Sequence, residues 1–149
     1  MSDLFVFTEA FNCGRLLIPF LDSYFQHHDE TIHIVMSKKD IEEAGSVLEN
    51  PKVVVIDVTD DQNFNTFWEH GHAGTALAFA SAIRFWGAGK KIIHFDSDVL
   101  FKQNCIDEIV EHLNNGYAAA GPMRAYKHNL GGHKQYANHP DAISTYAFG

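Results

Sequence analysis

The sequence predicts a three-layer α/β/α fold on a mostly parallel central sheet, and three observations point there. Five short β-rich runs alternate with segments of helical period. The run at residues 52–58 is nearly continuous β-branched residue (Val53, Val54, Val55, Ile56), as in a strand covered on both faces. The intervening segments carry their apolar residues on one face, which suits them to covering a sheet.

The first run, residues 4–8, precedes apolar residues at Leu17, Phe20, Leu21, Tyr24 and Phe25, the i, i+3, i+4, i+7, i+8 spacing of one helix face. Pro19 either occupies the first turn of a helix starting near Ile18 or bends one begun after Asn12. The second run, residues 31–36, leads to Ser37, an expected N-cap with Asp40 three residues on. The helix it opens carries Ile41, Ala44, Val47 and Leu48 and ends at Asn50-Pro51. The third run, 52–58, is expected mid-sheet, followed by a loop over 60–69. Residues 72–86 are rich in Ala, Gly and Ser, predicting a smooth helix stopped by Gly87-Ala88-Gly89.

The fourth run, 91–95, delivers Asp96-Ser97-Asp98 at its C-terminal end. A helix follows, capped by Asn104 with Asp107 at N3, carrying Ile106, Ile109, Val110 and Leu113 and stopping at Asn115-Gly116. Residues 117–120 form a fifth short strand, 124–140 a histidine-bearing loop on the ligand side, and 143–149 the opening of another strand. No repeat or second domain interrupts the pattern, so residues 1–149 read as one domain.

Composition narrows the function classes. With 46% hydrophobic and 20% charged residues, the 149-residue chain supports one core and is neither disordered nor fibrous. Its formal charge of -8 and lack of a basic run long enough to track a phosphate backbone argue against a nucleic-acid partner. No stretch approaches the ~18 consecutive apolar residues of a membrane span, and the N-terminus lacks a secretory pattern. Cys13 and Cys105 form no metal or disulfide pattern, so both are expected as free thiols in a reducing, cytoplasmic setting.

The chemistry concentrates at Asp96-Ser97-Asp98. Strand alternation would put both carboxylates on one side, at the sheet edge where open α/β folds bind ligands. Two like charges about 4 Å apart repel by ~1 kcal/mol in water and by more near a protein surface, unless a cation uses them. Mn²⁺ or Mg²⁺ would: such ions take one or two carboxylates and fill their remaining positions with phosphate oxygens and water. The bland alternative is a strand end running into an acidic turn.

The segment Ile92-Ile93-His94-Phe95-Asp96-Ser97-Asp98 resembles the DxD motif of GT-A fold glycosyltransferases. Gly74-Thr75-Ala76-Leu77-Ala78, with Gly87 and Gly89 before the strand, is similar to the Gly-rich helix that precedes it there. The order of elements follows the family over residues 5–120. The resemblance implies a Rossmann-like nucleotide-sugar-binding fold that uses a UDP or GDP sugar and a carbohydrate or other hydroxyl acceptor. It implies that Asp98 ligates the metal, and that Asp96 holds ribose or sugar and reaches the metal through water. Thr8 and Glu9 would contact base and ribose, and Gly74 and Thr75 would lie beside the donor. The family's chains are usually longer, so the acceptor-side portion is expected to be missing here and the C-terminus truncated.

Arg15 and Arg84 are the cations that could meet a diphosphate. Arg15 is the better placed, near a helix N-terminus whose N–H groups favour anions, whereas Arg84 reads equally as a solvated helix residue. His70 and His72 suit a cap or loop better than a metal pair. His128, His133 and His139 could close over a diphosphate, while His27, His28 and His112 fit helix-end roles. Cys105 reads as a small buried residue rather than a dipole-activated thiol.

Two other classes compete. Phe95-Asp96-Ser97-Asp98-Val99 also resembles the first motif of haloacid dehalogenase-like phosphohydrolases, in which the first Asp is the nucleophile. That motif needs a Lys and an acidic pair far downstream, and only 51 residues follow Asp98. A non-catalytic nucleotide-sugar binding module would bind the donor without turnover.

Overall fold

The structure, a computed structural model, describes residues 3–61, 80–116, 119–120 and 147–148. Four parallel strands form its centre: β1 (Leu4–Ala10), β2 (Ile32–Met36), β3 (Val53–Asp57) and β4 (Lys91–His94). Two short antiparallel strands, β5 (Ala119–Ala120) and β6 (Ala147–Phe148), extend the sheet in the order β3-β2-β1-β4-β6-β5. The α/β class and the parallel sheet agree with the sequence pattern. The position of β3 does not: among the described residues it is the edge strand rather than mid-sheet, and Val54 is 40% exposed. A β-branched run marks a strand without marking its neighbours.

The pleat divides the core in two. Val6, Ala10, Ile32, Ile34, Met36, Ile93 and Phe95 form one apolar face. Against it pack α1 (Leu17–His27), α2 (Lys38–Ala44) and α3 (Ile106–Asn114). Phe5, Phe7, Val35 and Ile92 face the other way and meet Ala82, Ile83 and Trp86, from a helical stretch ending in the π-helical turn Ile83–Gly87. Gly87 allows that approach, because a Cβ there would lie 3.1 Å from the side chains of both Phe5 and Ile92.

Pro19 sits in the first turn of α1, where its missing N–H breaks no helical bond. A 3₁₀ turn, Gly14–Leu16, leads into it. Beyond Ala44 the chain tightens into a second 3₁₀ turn, Gly45–Glu49, so α2 is shorter than the apolar spacing predicts; Val47 and Leu48 still pack on the core. The N-cap of α3 is Cys105, one residue after the expected Asn104, yet Asn104 still accepts the Asp107 N–H at 3.2 Å and donates to its carboxylate at 2.9 Å.

Asp40 departs from its expected local role. It is 1% exposed; Ser37 Oγ donates to Oδ2 at 2.7 Å, and the N–H groups of Cys13 and Gly14 donate to Oδ1 at 2.9 and 3.0 Å. A carboxylate from α2 therefore caps the turn that opens α1. The approach is so close that a Cβ on Gly14 would lie 2.3 Å from the Asp40 carbonyl oxygen.

His28 also differs from a solvated helix end. Its buried ring lies against Tyr24 and Phe101, with Nδ1 on the Tyr24 carbonyl at 3.2 Å and Nε2 accepting the Cys105 N–H at 3.1 Å. Both bonds are made by the neutral ring with its proton on Nδ1. Among the described residues no helix is long and apolar enough to cross a membrane.

Two outcomes follow for stability. Gly14→Ala should cost about 1–3 kcal/mol by overpacking, and Asp40→Ala a similar amount by stranding two N–H groups and a hydroxyl. Urea denaturation checks both, and wild-type midpoints would contradict the clamp. Burial lowers the pKa of His28 and of His33 below the ordinary 6.5. Below about 6.5 the unfolded chain thus binds more protons than the folded one. The contribution is complete above that pH and is lost on acidification, by at most about 1.4 kcal/mol per pH unit for each histidine. Urea midpoints should fall from neutral to mildly acidic solution, and His28→Gln should flatten the slope.

Candidate functional site at the β1 and β4 carboxyl ends

From β1 the chain builds β2 and then β3 on one side, and returns to place β4 on the other. The carboxyl ends of β1 and β4 therefore flank the topological switch point, where open α/β sheets bind ligands. The two strands pair as far as Phe7 opposite His94, with one further bond from Phe95 N–H to the Phe7 carbonyl at 3.1 Å. Beyond it β1 continues through Thr8, Glu9 and Ala10 beside β2.

Asp96 and Asp98 stand at this split, but a turn rather than strand alternation brings them there. β4 ends at His94, and the Val99 N–H closes on the Asp96 carbonyl at 3.4 Å around Ser97 and Asp98, residue types that favour turns. Asp98 is exposed and Asp96 half-buried. The turn rests on the β1 exit through Ser97 Oγ, 3.6 Å from Cys13 Sγ.

The segment between the turn and α3 is held from α1. Phe101 packs edge-on against Phe95, with centroids 4.9 Å apart, and against Tyr24. Its N–H donates to Ser23 Oγ at 3.1 Å, and the Cys105 bond to His28 fixes the far end. Two carboxylates are what a hard divalent ion commonly takes from a protein, and an all-oxygen pair suits Mn²⁺ or Mg²⁺. Among the described residues no group of three His, Cys, Asp or Glu side chains is placed to hold a metal ion.

Two helix entrances at the same sheet edge are closed by protein groups. Asp40 occupies the Cys13 and Gly14 N–H groups before α1. Thr59 Oγ1 accepts the Lys38 N–H of α2 at 2.7 Å, and Thr59 in turn bonds Asp57, holding that carboxyl below its usual range. Arg15 is exposed beside the first entrance, and the N–H groups that recommended it as an anion site are already engaged. Arg84, exposed, lies in the π-helical turn beneath the other sheet face.

The pleat sends Thr8 and Glu9 to opposite faces. Thr8 shares its face with Val6 and Ala10, is 0% exposed, and among the described residues its Oγ1 has no hydrogen-bond partner, leaving its main chain as the part a ligand could meet. Glu9 shares the face of Phe5 and Phe7, where its Oε2 accepts from His94 Nε2 at 2.7 Å; the two side chains are 10% and 6% exposed. The His94 ring also packs on Phe7, with centroids 4.9 Å apart. His94 stands at this site with no role of its own in the sequence motifs. Its signal was a polar ring two positions before Asp96 in an otherwise apolar strand.

Gly74, Thr75, His70, His72, His128, His133 and His139 lie outside the described residues. No family model matches the chain, and no curated protein matches its sequence. Among solved structures, it is similar to a protein named PaToxG Glycosyltransferase, at 9% identity and a TM-score of 0.47. That similarity covers 70% of this chain and 45% of that one, so the chain spans less than half the length of that structure.

Neither Cys13 nor Cys105 forms a disulfide. Burial pushes the Cys105 thiol up to about 11, which makes it an inert residue of the α3 entrance. Iodoacetamide at neutral pH should leave Cys105 unmodified in the folded chain and label it after denaturation, as peptide mass spectrometry would record. Rapid labelling of the native thiol would contradict this placement.

Proposed function

We propose that the chain is the donor-binding domain of a metal-dependent glycosyltransferase, which binds a UDP or GDP sugar and passes the sugar to an acceptor hydroxyl. The observation that carries the reading is the Asp96-Ser97-Asp98 turn at the switch point, with Asp98 exposed at its tip. Its setting supports it. The α1 and α2 entrances are filled by Asp40 and Thr59, and the chain carries a net charge of -8. A diphosphate at this edge thus needs a cation brought from outside, and paired carboxylates supply the means of holding one.

In this reading Asp98 holds Mn²⁺ or Mg²⁺ directly, and Asp96 orients the ribose or sugar while reaching the ion through water. When bound, the ion supplies Lewis-acid stabilisation of the nucleoside diphosphate as a leaving group. Glu9 meets the ribose, Thr8 contributes its main chain, and Arg15 supplements the charge on the diphosphate. Gly74 and Thr75 are assigned to the donor's flank by family resemblance.

Calorimetric titration of UDP and GDP sugars with and without Mn²⁺ tests the proposal. Wild-type chain should bind one of them in a Mn²⁺-dependent manner. Asp98→Asn should lose at least the ~10–100-fold that even an outer-shell change costs a metal site, with the melting temperature unchanged because the side chain is exposed. Mn²⁺-dependent affinity that survives Asp98→Asn would defeat the assignment, and donor binding without any turnover would place the chain with non-catalytic modules.

A further inference from the structure

The bond between Glu9 and His94 crosses the switch point one step past the place where β1 and β4 stop pairing. Both partners are nearly enclosed, and the Phe7 ring backs the imidazole. A glutamate free at a strand end would lose side-chain entropy each time it met a ligand, whereas one already held by a donor has lost that freedom in advance. His94 engages one carboxylate oxygen of Glu9, and among the described residues the other carries no hydrogen bond.

We propose that His94 is a positioning residue of the nucleotide site, holding Glu9 so that its second oxygen accepts from the ribose hydroxyls of the donor. The inference rests on the glycosyltransferase reading and adds to it a residue that touches neither metal nor substrate. It explains why a polar ring occupies an apolar strand at this position: an enclosed carboxylate needs a donor, and His94 is the residue of β4 that reaches it.

The test measures discrimination for the ribose rather than affinity alone. UDP and GDP, each beside its 2′,3′-dideoxy analogue, are titrated in saturating Mn²⁺ into wild type, His94→Phe, His94→Gln and Glu9→Gln. Wild type should favour the ribose form by roughly tenfold or more, the range of a hydrogen bond to a charged group. His94→Phe keeps a ring against Phe7 but removes the donor. It should bring that preference close to unity while leaving dideoxy affinity unchanged, and Glu9→Gln should weaken the preference too. His94→Gln, whose amide can still donate to Glu9, should restore most of it.

A structural role alone would lower both affinities together and leave the ratio intact, so an unchanged ratio in His94→Phe overturns the proposal. If circular dichroism shows that His94→Phe does not fold, His94→Asn, polar but too short to reach Glu9, should show the same lost preference, and a retained one overturns the proposal equally. Wild type that binds without preferring ribose overturns this inference alone. Wild type that binds neither nucleotide overturns the glycosyltransferase reading and this inference with it.

Discussion

The buried carboxylate of Asp40 is the constraint from which the geometry of the sheet edge follows. Enclosing a charge costs several kcal/mol, and Asp40 offsets this through two backbone N–H groups and one hydroxyl. Those donors come from Cys13 and Gly14 at the exit of β1 and from Ser37 at the entrance of α2, so one side chain sets where two helices begin. It requires glycine at position 14, because the Asp40 main chain leaves no room for a Cβ. It also fixes Cys13, whose sulfur meets Ser97 and so seats the acidic turn.

The same clamp decides the electrostatics of the edge. Helix N-termini at a switch point ordinarily attract anions, yet here Asp40 and Thr59 use those N–H groups internally. In the proposed function an anion at this edge depends instead on Asp96 and Asp98, which carry the wrong sign for phosphate until a cation intervenes. On the glycosyltransferase reading proposed above, closed helix entrances beside an acidic turn suit a ligand that arrives with its metal.

The fold was legible in the sequence where local pattern decides it. Alternation marked β1, β2 and β4 to within a residue or two, the i, i+3, i+4 spacing marked α1 and α3, and Asn104 with Asp107 marked the bond at the α3 entrance, one residue before the N-cap Cys105. What escaped depends on partners distant in the chain. The β-branched run of β3 says that it is a strand, but only pairing with β2 alone puts it at the edge. Asp40 has the spacing of a local capping partner, and its bonds to Cys13 and Gly14 arise only once α2 has docked. His28 does cap the end of α1, but its burial and its acceptor role toward Cys105, far along the chain, carry no local signal. Asp96 and Asp98 follow β4 as the sequence order requires, but a turn closed by Val99 N–H on the Asp96 carbonyl, rather than strand alternation, sets their course.

The pairing of β4 with β6 bears on the order in which the molecule assembles. β4 is flanked by β1, from the start of the chain, and by β6, from well beyond α3. Both contacts are non-local, and closing such long loops loses chain entropy before any packing compensates. The three-stranded unit β1, β2 and β3, with its short connections, can consolidate first, leaving the strand that presents the acidic turn to be captured late. Until β6 arrives, one side of β4 offers unpaired N–H and C=O groups to any passing strand, so the segment that completes the sheet is also its guard against misassociation.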